Sequence, residues 1–309
     1  MKRSYVLPPV EQIPLEVWQL VLWHLRSGAL CLCATVCKQW SIVLPLCVTR
    51  LTNIEVARLA PQRVSEFVNL RQLCLKGKLC AHIEDRHLSG LLSLEKLDLS
   101  ENTSITGTSL TRLTNLTKLS LNENRNICDK ALASLSQLRY LFLGVNESVT
   151  GETLSLLRHL DRLDFFDCPL MGDSQLSKLT TLRDMFLGES NALTGRCLES
   201  LSNLSYLNLG CRYEELEIDD TCLSNLTKLT QLQALDTSLS MDALVKLTGL
   251  QILAFDNWDE GEVCRLSGLP HLRHLSLTTL EPQNKLYLET ALPNLRIEYV
   301  KDIWEPLIQ

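Results

Sequence analysis

LEKLDLSENTSITGTSLTRLTN (residues 94–115) runs straight into LTKLSLNENRNICDKALASLSQ (116–137) and then into LRYLFLGVNESVTGETLSLLRH (138–159). Aligned under one another, the three stretches share a grid. A Leu-x-x-Leu-x-Leu pattern opens at Leu94, Leu116 and Leu138, and again at Leu160, Leu182 and Leu204, with a step of 22 residues each time. Asn102, Asn124 and Asn146 hold the ninth place, followed in register by Cys168 and Ser190. Ile105, Ile127, Val149, Met171 and Leu193 come three residues later, and then Leu110, Leu132, Leu154, Leu176 and Leu198. Weaker copies open at Leu70, Leu232, Leu250 and Leu272, a degenerate one at Val48 and a frayed one near Leu295. Self-similarity at a fixed interval of this length is the signature of stacked repeats.

The spacing carries a physical consequence. Alternate leucines fall on one face of a short strand and the residues between them on the other. Asparagine suits the sharp turn that follows, because its side chain can satisfy backbone groups that have no ladder partner. The later leucines return the chain through an outer helical or 3-10 segment. One unit cannot bury its own leucines, so units must stack. The grid resembles the leucine-rich-repeat family over residues 48 to 300. That resemblance implies an α/β solenoid over residues 48–309: a horseshoe of about 11 units with a parallel concave sheet, a helical or 3-10 convex side and degenerate ends. The step from Leu204 to Leu232 is 28 residues and the next is 18. It reads as an acidic loop near Glu214–Asp220, within the 211–220 insert, offset by a shortened turn near Ser238–Met241.

Residues 13–43, IPLEVWQLVLWHLRSGALCLCATVCKQWSIV, do not fit the grid. Pro14 suits the first turn of a helix, and Val17, Leu20, Val21 and Leu25 recur at helical spacing. Ser27 and Gly28 break the run, a second helix from Ala29 presents Leu30, Ala34 and Cys37, and Pro45 ends the segment. Helices this short have too little core to be secure alone. They need a partner, either the solenoid end or another protein.

This segment is similar to an F-box. That family opens on Leu-Pro and an acidic residue and closes on Val-Cys-(Lys/Arg)-x-Trp. Here Ile13-Pro14 and Glu16 stand at one end and Val36-Cys37-Lys38-Gln39-Trp40 at the other. Ile13 replaces the usual Leu, and Trp23 and His24 stand where smaller or polar residues are common. The resemblance implies a helical domain over residues 1–47 that docks on the Skp adaptor of a cullin–RING ubiquitin ligase. Carried over residue by residue, it places Pro14, Val17, Val21, Leu22, Leu25, Leu30, Val36, Cys37 and Trp40 at or beneath the adaptor surface. The other reading is a helical cap that shields the first repeat from water, which every solenoid needs.

With the leucines inward, the residues between them line the concave face. The early units contribute Gln72, Cys74, Lys76, Lys96, Asp98, Ser100, Lys118, Ser120 and Asn122. The middle units contribute Tyr140, Phe142, Arg162, Asp164, Phe166, Asp184, Phe186, Tyr206 and Asn208, with Gly144, Gly188 and Gly210 beside them. The last contribute Ala234, Asp236, Ser238, Ile252, Ala254, Asp256, His274, Ser276 and Thr278. Strands about 4.8 Å apart would gather Phe142, Phe166 and Phe186 into one patch with Tyr140 and Tyr206 on its edge. Exposed aromatic clusters mark binding surfaces, although aromatic residues also favour strands for their own sake.

Composition narrows the function. The net charge of −6 over 309 residues argues against a nucleic-acid partner or an anionic membrane surface. No apolar run reaches the roughly 20 residues of a membrane span, and no signal-peptide stretch precedes the early prolines. The twelve cysteines show no paired spacing and read as free thiols in a reducing compartment. Cys31, Cys33 and Cys37 lack a second pair at zinc spacing, so no metal and no cofactor is expected. His271, His274, Asp164 and Asp184 lie on an open surface without the cleft that acid–base catalysis needs. Together with this, the resemblance to an F-box followed by leucine-rich repeats implies a substrate-recognition subunit, not an enzyme, with the Skp adaptor and an unidentified protein substrate as partners, in cytoplasm or nucleus. A bacterial gene would imply an effector working in the host cell cytoplasm. The rival is a non-ligase repeat scaffold or inhibitor.

Overall fold

A computed structural model of the chain describes residues 14, 17, 44–187, 193–210, 218–235, 237–256 and 261–299. It divides into two compact units, Met1–Leu138 and Arg139–Gln309.

In the first unit, strands β1 (Arg50–Leu51), β2 (Gln72–Cys74), β3 (Lys96–Asp98) and β4 (Lys118–Ser120) lie in chain order and pair in parallel. Leu73, Leu97 and Leu119 stand in register and are buried, as are Leu75, Leu99 and Leu121 two residues on. The residues flanking them face the other way. The strands are only two or three residues long, and behind β3 and β4 an asparagine turn stops the ladder. Asn124 is fully buried: its amide donates to the carbonyls of Leu99 (3.0 Å) and Asn102 (2.9 Å) in the preceding repeat. Its oxygen accepts from the backbone N–H groups of Asn126 and Ile127. Asn102 repeats the arrangement on Leu75, Ser104 and Ile105.

In the second unit, eight strands follow in chain order and pair in parallel: β5 (Tyr140–Phe142), β6 (Arg162–Asp164), β7 (Asp184–Phe186), β8 (Tyr206–Asn208), β9 (Gln231–Ala234), β10 (Ile252–Phe255), β11 (His274–Leu277) and β12 (Arg296–Tyr299). Asn146 again accepts from two backbone N–H groups of its own turn, those of Ser148 and Val149. At Cys168 the asparagine is replaced, and the thiol donates to the Leu143 carbonyl instead (2.9 Å). The residue ahead of each of these turn positions has positive φ: Glu101, Glu123, Val145 and Asp167, at 58, 56, 56 and 52°. For β-branched Val145 that backbone is strained.

The register corrects one expectation. Leu232 pairs with Leu207, so it is the second leucine of its repeat and Leu229 is the first. The step from Leu204 is then 25 residues and the next, to Leu250, 21. Ala234, expected on the open face, is fully buried in the third-leucine position, and Gln231 and Gln233 hold the open places. Asp236 lies outside the described residues. The expected acidic loop also ends earlier: Ile218 is buried in the core, and Asp220 accepts from Ser240 of the following repeat.

A second periodicity overlies the first. The outer segments Asp85–Leu88, Asp129–Leu132 and Asp173–Leu176 are α-helical turns, whereas Leu110–Arg112, Leu154–Leu156 and Arg196–Ser200 are 3-10. Asp85, Asp129 and Asp173 recur every 44 residues, and so do Gly107, Gly151 and Gly195, all three glycines with positive φ. In the first unit the Asp85 carboxylate accepts from the backbone and hydroxyl groups of Thr106 and Ser109 in the next repeat, at 2.8–2.9 Å. In the second unit Asp173 accepts likewise from Thr194 and from the Cys197 N–H. A Cβ at Gly107 would stand 2.8 Å from Ala131 Cβ, and one at Gly195 2.7 Å from Ile218 Cγ1, so larger residues would also collide there. Burial opposes ionisation of Asp85 and Asp173, yet these hydrogen bonds together hold both carboxyls below the usual carboxylate range.

Candidate protein-binding face

The outward positions of β5 to β8 form two rows. Tyr140, Arg162, Asp184 and Tyr206 stand side by side in one, and Phe142, Asp164, Phe186 and Asn208 in the next. Leu141, Leu163, Met185 and Leu207 lie between the rows and are fully buried, so the core fixes the backbone beneath the face.

Arg162 organises the patch. Its guanidinium carbon lies 4.4 Å from the ring centroid of Phe186 and 5.6 Å from that of Phe142, within cation–π range of both. Phe186 also meets Tyr206, with centroids 4.9 Å apart and planes at 45°, a favourable tilted geometry. The Nε of Arg162 is buried with no hydrogen-bond partner among the described residues. The two ring faces therefore hold this side chain, with the charges of Asp164 and Asp184 nearby.

The electrostatics follow from that packing. Burial pushes the carboxyls of Asp164 and Asp184 above their ordinary range, and the Arg162 charge pulls both back down. Burial likewise raises the Tyr206 phenol. Asp184 is tied further by the Ser205 hydroxyl at 3.4 Å, and Asn208 accepts from the Gly210 N–H at 2.7 Å. Two partly desolvated carboxylates, one arginine and several rings thus share four adjacent strands, roughly 14 Å of surface. Tyr140, at 40% exposure, is the most open of them. Phe166 lies two residues beyond the end of β6, half-buried, with its carbonyl accepting from the Val145 N–H. It flanks the two rows rather than standing in them.

Of the residues expected to meet an adaptor, the structure describes Pro14 and Val17, both exposed, with the Val17 N–H donating to the Pro14 carbonyl at 3.0 Å. Val21, Leu22, Leu25, Leu30, Val36, Cys37 and Trp40 lie outside the described residues. The described cysteines are free thiols, five of them buried: Cys47, Cys80, Cys168, Cys197 and Cys222. Burial raises the Cys80 thiol to about 11 and the Cys168 thiol to about 12, which makes them poor nucleophiles. Among the described residues no group of three His, Cys, Asp or Glu side chains is placed to hold a metal ion, and no helix is long and apolar enough to cross a membrane.

Sequence pattern alone placed Arg162 on this face without revealing it as the centre of the cluster. Its signal was there: the residue before the second leucine, flanked across the strands by Tyr140 and Asp184. Gln231 and Gln233 were missed through the register shift at Leu229.

No family model matches the chain, and no curated protein sequence does. Solved structures do match. An internalin, InlF, from Listeria monocytogenes superposes with a TM-score of 0.60 at 22% identity, over 85% of this chain and 85% of that one. Internalin C2 from the same organism gives a TM-score of 0.50 at 27% identity, over 63% of this chain and 84% of that one. Both are leucine-rich-repeat proteins. The fold is a leucine-rich-repeat solenoid, and it fits a protein-interaction scaffold.

Proposed function

We propose that the chain is the substrate-recognition subunit of a Skp–cullin–F-box ubiquitin ligase. Residues 1–47 dock the Skp adaptor, and the repeat domain, residues 48–309, holds a target protein on the face built by Tyr140, Phe142, Asp164, Phe166, Asp184, Phe186 and Tyr206. The observation that carries the target-binding half is the Arg162 side chain set against Phe142 and Phe186 on an open sheet. Arginine and aromatic side chains on a rigid base are the composition of binding hot spots. The adaptor half rests on the F-box-like pairing of Ile13-Pro14 with Val36-Cys37-Lys38-Gln39-Trp40.

The chain would make and break no bond itself. It would raise the effective concentration of a target lysine near the conjugating enzyme and orient it. Purified full-length chain should retain the Skp adaptor in a pull-down, and altering Pro14 and Leu25 together should abolish that retention. Absence of binding by the intact chain would leave a scaffold or inhibitor whose leading helices cap the repeats.

A further inference from the structure

The outward rows do not exhaust the charged surface of the second unit. Beside them, on the turns that lead into β5 to β9, lies an open cleft of about 520 Å³. Arg139, Arg158, His159, Arg183 and Lys228 line it with a single carboxylate, Asp161. That carboxylate is already engaged by Arg139 at 2.8 Å. Arg158 and Arg183 are exposed and form no ion pair among the described residues, and the Lys228 ammonium donates to the neutral Asn203 amide oxygen at 2.6 Å. A chain of net charge −6 thus gathers three arginines and a lysine against a single lining carboxylate in one concavity, with Asp184 of the neighbouring face also acting on Arg183.

We infer that this cleft binds an acidic, extended segment of a partner protein. Charge selects the ligand: an excess of cations over carboxylates in a concave site focuses field and attracts anions. Dimension selects its form. The lining residues come from turns ahead of five successive strands, and four spacings of about 4.8 Å span roughly 19 Å, which five or six residues of extended chain cover. Hydroxyl and amide groups between the cations, on Thr181, Asn203 and Ser205, suit a peptide backbone. The small volume and the negative net charge disfavour a nucleic acid. The cleft shares no residue with the aromatic face, although it adjoins it where the Ser205 hydroxyl meets Asp184.

The test is fluorescence anisotropy of the full-length chain with a labelled hexaglutamate peptide, a hexalysine peptide and a single-stranded oligonucleotide of equal length. Saturable binding of hexaglutamate is expected, weakening about tenfold when salt rises from 50 to 200 mM. Arg158→Glu with Arg183→Glu should cost a further tenfold or more, while Phe142→Ala with Phe186→Ala leaves it unchanged. Both reversed positions are exposed, and an unaltered circular dichroism melt would show that the fold survives. Hexaglutamate binding that is absent, or indifferent to the reversal, would overturn the inference. So would tighter binding of the oligonucleotide or of hexalysine.

Discussion

The same repeat builds two different sheet faces. In the first unit the outward residues of β2 to β4 are polar and some are tied to polar neighbours: the Ser120 hydroxyl meets that of Ser100, just past β3, at 2.8 Å, and the Cys74 thiol reaches Asp98 at 3.7 Å. Lys76 pairs with Glu101 just past the strand. In the second unit the corresponding places carry Tyr140, Phe142, Arg162, Phe186 and Tyr206. Beneath both faces runs the same buried apolar ladder, with asparagine turns at Asn102 and Asn124 in the first unit and at Asn146 in the second, where Cys168 takes the next place. The inward half of each strand therefore determines the fold, and the outward half is free to specify a partner. Differences between the faces should appear in binding, and differences between core positions in stability.

The largest stability loss is expected in the core, equally in both units. Leu119→Ala and Leu163→Ala should each cost about 2–5 kcal/mol, measured by urea unfolding, because each leaves a cavity under a fully packed strand. A loss confined to one unit would break the equivalence. Next comes the turn. Asn124→Ala would strip partners from two backbone N–H groups and two carbonyls at a fully buried site. A cost of about 3 kcal/mol is expected. A melt indistinguishable from the parent would remove the asparagine ladder from the account.

A smaller effect is expected from the aspartate clamps, with a sign set by their lowered carboxyl pKa values. A group with a depressed folded pKa stabilises above its unfolded value, and the gain is lost as pH falls through the folded one. The melting temperature should therefore drop as pH falls below about 4. Asp85→Asn in the first unit and Asp173→Asn in the second should each lower stability at pH 7 and flatten that acid limb. An acid limb unchanged in both variants would contradict the clamp. Smallest of all, Val145→Gly should raise stability by roughly 1 kcal/mol by relieving a β-branched residue at φ 56°. The same change at Glu123, which has the same φ without the branching, should gain less.

The repeat frame was legible in sequence wherever three apolar residues marked the strand, from Leu94 to Leu209. It failed at Leu229 for a physical reason: Ala234 takes the third leucine's place, while Leu232 and Leu235 copy the Leu-x-x-Leu spacing. A shift by an odd number of residues turns a strand over, so Gln231 and Gln233 were exchanged for Ala234. The 44-residue alternation was written plainly in Asp85, Asp129 and Asp173 against Gly107, Gly151 and Gly195, but a grid keyed to leucines passes over it. The rows of the candidate face followed from register alone. What no pattern could supply was the side-chain packing that sets Arg162 against two rings and strands a cluster of cations in a cleft beside them.

The most direct test of the account compares the two faces in the whole chain. A photo-crosslinking residue placed at Phe142, or at Lys118 in the first unit, is activated in cells and the adducts are identified by mass spectrometry. A distinct protein adduct from position 142, competed away by excess unmodified chain and absent from position 118, is the predicted result. Equal adducts from both positions, or none from position 142, would contradict it.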